Sequence, residues 1–81
     1  MKIPRDVAAE ELIKGLVSFG YEVSRQKGSH IRLTYTKGDS THHITIPNHN
    51  PIKVGTLSGI LNDLSLFHKR EKEEIIKMVL G

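Results

Sequence analysis

The residues best suited to chemistry lie in one run, Arg25-Gln26-Lys27-Gly28-Ser29-His30, which sets an imidazole beside cations at a tight turn. Histidine is the side-chain type that gains and loses a proton near neutrality, and Lys27 and Arg25 could stabilise an anionic centre next to it. That combination suits work on a phosphate backbone. The plainer reading of the same run is a solvated histidine beside a hairpin, and the motif alone does not separate the two.

The elements around the run say where it would sit. Val7 to Phe19 has an apolar stripe of Leu12, Ile13, Leu16 and Val17 at helical spacing, with Asp6 as a candidate cap and Gly20 as the stop. Tyr21 to Arg25 and Ile31 to Tyr35 alternate apolar with polar residues, the period of half-buried strands, and Gly28 separates them. Lys37-Gly38-Asp39-Ser40 is a second turn, after which His42 to Ile46 repeats the alternation and Pro47 ends the strand. A three-stranded antiparallel meander follows. Ile31, Leu33, Tyr35, Ile44 and Ile46 form its packed face, whereas Arg32, Thr34, His43 and Thr45 point the other way, and His30 joins that second face by alternation.

Pro47 to Lys53 reads as a loop, and Leu57, Ile60, Leu61 and Leu64 mark a second helix over about 56–64. A third helix is expected over about 68–80. Its charges from Lys69 to Glu74 suit a solvated face, and Ile75, Ile76, Val79 and Leu80 are expected to pack on the domain, docking to a partner being the alternative. The expected class is α+β: helix, three-stranded antiparallel sheet, helix, with an additional C-terminal helix. One domain over 1–81, with a core of about 6–66, accounts for the whole pattern.

With 81 residues the chain buries only about 60–65% of its unfolded surface, so chemistry is expected on a surface or shallow groove and on a polymeric substrate. Cysteine is absent, which excludes disulfides and thiolate metal sites. No apolar run reaches the roughly 20 residues that span a bilayer, and Met1-Lys2-Ile3-Pro4-Arg5-Asp6 is no signal-peptide start, so a soluble, cytoplasmic protein is expected. The net charge of +3 is unevenly spread: Val23 to Lys53 carries +4 and four of the five histidines, between near-neutral ends. Such a basic middle third fits nucleic acid as well as an ordinary solvated sheet face.

The motifs Glu11-Leu12-Ile13-Lys14, Gly20-Tyr21-Glu22-Val23, Arg25 to His30, Ile44-Thr45-Ile46-Pro47, and Gly55-Thr56-Leu57 with Ile60-Leu61 occur in order. Together, over about Glu10 to Leu66, they resemble the HicA family of toxin proteins. The resemblance implies a double-stranded RNA-binding-domain-like fold, a metal-independent mRNA interferase activity, and inhibition by a HicB-like antitoxin. It implies a catalytic histidine in a Gly-Ser-His motif, here Gly28, Ser29 and His30. Many relatives carry a second histidine next, where this chain has Ile31, and the family's Pro-His segment is altered to Pro47-Asn48-His49-Asn50-Pro51.

On these grounds His30 is the expected general base or acid. Arg25, Lys27, Gly28, Ser29, Arg32 and Lys53 are the expected RNA contacts, Lys53 opening a helix whose free N–H groups favour phosphate or are merely capped. His42 and His43 cannot both face substrate, and His42-His43-x5-His49 matches no usual zinc spacing, so no metal and no cofactor are expected. The expected partners are mRNA and a HicB-like antitoxin, the free chain being a monomer. A non-catalytic RNA-binding or partner-binding module on the same fold is the competing reading.

Overall fold

A computed structural model describes residues 3–81. Met1 and Lys2, which begin the segment read against a signal peptide, lie outside the described residues. The elements are α1 (Ala9–Phe19), β1 (Glu22–Lys27), β2 (His30–Lys37), β3 (Ser40–Pro47), α2 (Val54–His68) and α3 (Lys72–Leu80). The sheet is antiparallel in the order β1-β2-β3. The α+β class and the order helix, three strands, helix, C-terminal helix are as the sequence predicts.

The helices cover one face of the sheet. Ile31, Leu33, Ile44 and Ile46 meet Leu12 and Leu16 of α1, Leu57, Leu61 and Leu64 of α2, and Ile75 and Val79 of α3 in one buried cluster. Each such aliphatic side chain stabilises the fold by about 1.5–3 kcal/mol on leaving water. The late apolar residues of α3 thus pack on the domain. Among the described residues no helix is long and apolar enough to cross a membrane.

Several local expectations are corrected. The first helix starts at Ala9, and Asp6, in a left-handed conformation, does not cap it. The Ala9 N–H instead donates to Asn50 Oδ1 at 3.1 Å, so the loop after β3 supplies the cap. Val17 is 49% exposed, because the stripe that packs is the narrower one of Leu12 and Leu16. The second helix extends to His68, which therefore does not begin the third. Lys69 adopts a left-handed conformation with its N–H on the Ser65 carbonyl, which ends α2 and delays α3 to Lys72.

Both hairpins have two-residue turns, Gly28-Ser29 and Gly38-Asp39, with positive φ at the glycine alone, the pattern of a type II′ turn. At Gly28, φ is +59° and a Cβ would meet nothing within 4 Å, so the backbone angle, not space, is what calls for glycine.

Candidate nucleic-acid interface

The uncovered face of the sheet is built by strand register. Lys27 lies opposite His30, Arg25 opposite Arg32, and Thr34 opposite His43. Strict alternation in β1 would send Tyr21, Val23, Arg25 and Lys27 to one face together. A bulge between Val23 and Arg25 inserts Ser24 as an extra residue and reverses the alternation beyond it. Val23 stays opposite Leu33, on the side of the helices, while Arg25 and Lys27 turn to the open face with His30 and Arg32. Ile31, where many relatives carry a second histidine, is buried beneath that face.

Six of the seven expected site residues are thereby gathered around the β1–β2 turn: Lys27, Gly28, Ser29 and His30, with Arg25 and Arg32 two pairs further along. Opposed residues on one face stand about 4.5–5.5 Å apart at Cβ, so Arg25 and Arg32 repel each other. Among the described residues the one ion pair is Arg70–Glu74, and no carboxylate relieves that repulsion. An anion on the open face would. Lys53 stands apart, at the N-cap of α2, whose first turn has no acidic residue. The loop leading to it leaves the sheet against the turn, where the Asn48 N–H donates to the Ser29 carbonyl at 2.6 Å. His49, in the altered Pro-His segment, is exposed in that loop.

His42 and His43 face opposite ways, as adjacent strand residues must. His43 shares the open face, four residues along the ladder from the position of His30, or about 13 Å at the usual rise. His42 turns inward, stacked on Phe67 with ring centroids 4.5 Å apart. There the Tyr21 hydroxyl bridges His42 Nδ1 at 2.7 Å and His68 Nε2 at 2.9 Å, an arrangement that needs one ring to accept and the other to donate. Burial pushes the Tyr21 phenol up, with Tyr35 adding to it. Beside this cluster, at the end of the molecule away from the Gly28 turn, lies a cleft of about 620 Å³ between the helix ends and the β2–β3 hairpin, lined by Phe19, Tyr35, Phe67 and His68 with Lys37 and Arg70. The sequence signals no such cleft, because its walls come from five separate elements.

Burial lowers the pKa of His42, which Asp63 opposes and His43 reinforces. Burial also lowers His68, with His42, Arg70 and Lys37 adding to it. Both rings therefore stay neutral in the folded chain at a pH where the unfolded chain, titrating near the ordinary 6.5, already binds protons. Stability present above about pH 6.5 is lost as the pH falls below it, until the folded rings titrate too. The urea midpoint is expected to drop between pH 7.5 and 5.5, and to drop less in His68→Gln; an unchanged midpoint in the parent protein would contradict the burial of these rings.

Among the described residues no three His, Asp or Glu side chains are grouped as metal ligands. No curated protein and no solved structure matches the chain. Residues 9–66, more than half of its length, match the family described as HicA toxin of bacterial toxin-antitoxin. The matched segment runs from α1 through the sheet and most of α2, the elements that create the open basic face, and the chain belongs to the HicA toxin family.

Proposed function

We propose that this HicA-family toxin is a cytoplasmic, metal-independent endoribonuclease that cleaves mRNA with His30, and that a HicB-like antitoxin holds it inactive by covering the open face. One observation carries the reading: His30 is exposed at the start of β2, opposite Lys27 and on the same face as the unrelieved pair Arg25 and Arg32. RNA supplies its own nucleophile. The 2′-hydroxyl attacks the adjacent phosphorus, its proton leaves to a base, the bond from phosphorus to the 5′-oxygen breaks, and that oxygen takes up a proton. His30 performs one of these two transfers and water the other. Lys27, Arg25 and Arg32 stabilise the added negative charge as it develops on phosphate oxygens. Gly28 and Ser29 keep the turn tight so that the strand of RNA approaches the backbone, and Lys53 gives a further phosphate contact at the start of α2. The single domain over 1–81 works as a monomer until the antitoxin binds.

A second reading, RNA binding without cleavage, draws on the cross-strand neighbours of His30, Lys27 and Pro47, neither of which is a second histidine or a carboxylate. Purified protein incubated with single-stranded RNA, with and without EDTA, decides between them. Cleavage is expected and removes the binding-only reading; a gel shift with intact RNA would remove the nuclease, and cleavage that stops in EDTA would refute metal independence.

A further inference from the structure

Three side chains on the open face form a hydrogen-bonded chain that the proposed role of His30 does not use. Ser24 Oγ lies 3.3 Å from the Arg32 carbonyl oxygen and 2.8 Å from Thr34 Oγ1, which in turn lies 2.9 Å from His43 Nδ1. One polarity satisfies all three contacts. A carbonyl only accepts, so Ser24 donates its single hydroxyl proton there and offers Thr34 a lone pair. Thr34 then donates to Ser24 and offers its own lone pair to His43. Nδ1 of His43 must carry the hydrogen. In the neutral ring that leaves Nε2 a bare acceptor, and His43 is exposed on the sheet surface.

Each link depends on the fold. Ser24 is the extra residue of the β1 bulge, and Thr34 and His43 are paired across β2 and β3. The Arg25, Lys27 and Arg32 side chains can bind phosphate oxygens, which only accept hydrogen bonds. Nε2 of His43 asks for the opposite partner, a donor. On a nucleic-acid backbone the donor is the ribose 2′-hydroxyl, the group that distinguishes RNA from DNA; the amine and ring N–H groups of the bases are the other donors a single strand offers.

We infer that His43 Nε2, held as an acceptor by Thr34 and Ser24, binds a ribose 2′-hydroxyl of the RNA at a subsite about 13 Å along β2 from His30, and so selects RNA over DNA. This rests on the proposed RNA substrate, but its first test does not. Ring ¹⁵N spectra of the free protein at alkaline pH are expected to show His43 mainly with hydrogen on Nδ1. A majority with hydrogen on Nε2 overturns the assignment whether or not the protein cuts RNA.

The second test measures affinity for one RNA oligonucleotide and its DNA counterpart by fluorescence anisotropy, in the His30→Ala background and within seconds of mixing, before any residual cutting accumulates. Adding Thr34→Val is expected to weaken RNA binding about three- to tenfold, the worth of one hydrogen bond, and to leave DNA binding unchanged. Equal loss on both polymers would point to a base amine or a phosphate and overturn the 2′-hydroxyl assignment; no loss on either would overturn the subsite. His43→Phe, at an exposed position, gives the same comparison should Thr34→Val fail to fold. Cutting by His30→Ala would refute the catalytic histidine and leave this comparison intact.

Discussion

His30→Ala is expected to lower RNA cleavage by about 10²–10⁴-fold, the usual worth of a positioned proton-transfer group. The substitution should not disturb the fold. His30 is exposed, makes no side-chain hydrogen bond among the described residues, and follows a turn whose geometry belongs to Gly28 and Ser29. The far-ultraviolet spectrum and urea midpoint should therefore match the parent protein while cleavage collapses. RNA binding should weaken much less, since Arg25, Lys27 and Arg32 remain. Undiminished cleavage by the folded variant would remove His30 from the mechanism and turn attention to His43, the other histidine of the same face. Loss of cleavage together with folded structure would instead show that the turn needs the imidazole for packing, which its exposure argues against.

Gly15→Ala is expected to destabilise the fold by about 3 kcal/mol or more, at the upper end of overpacking costs. Gly15 lies on α1 where α3 crosses it, and a Cβ built there would collide with the backbone carbonyl of Val79. A side chain can change rotamer; a carbonyl in a helix cannot. The helix α3 would have to move away as a unit, taking Ile75 and Val79 out of the core. Gly59→Ala makes the control. It adds the same methyl group to α2 where nothing lies within 4 Å, and is expected to gain about 0.5–1 kcal/mol from helix propensity alone. Urea midpoints that fall for Gly15→Ala and rise for Gly59→Ala would establish the close crossing of α1 and α3. Equal, small changes would disprove it.

Much of the sheet could be read without its tertiary context because the side-chain period is 2 and both hairpins turn on two residues. Gly28-Ser29 sets Lys27 against His30, and alternation then assigns Arg32, Thr34, His43 and Thr45 to the face away from the helices. The α1 and α2 stripes were legible for the same reason, although their ends were not: Asn50 caps α1 from 41 residues away, and no local signal announces that. His68 reads as the head of a charged helix, yet its ring lies against Tyr21 and Phe19 at the close of α2. Local pattern carries no information about a partner brought in by another element.

What the sequence determined by itself is the class of the fold, the position of His30 on the solvent side of β2, and membership in the HicA family through motifs in order. Only the tertiary structure decided how one strand presents cations beside that histidine and still buries Tyr21. With Lys27 and Arg25 held on the face of His30 by the turn, a regular β1 would have carried Val23 and Tyr21 to that open face as well; one extra residue at Ser24 returns them to the side of the helices, a long-range balance of ladder bonds and burial that alternation in a single strand cannot foretell. The same bulge places the Ser24 hydroxyl beneath Thr34, so the orientation of His43 is a consequence of pairing between strands and not of the residues beside it in the chain.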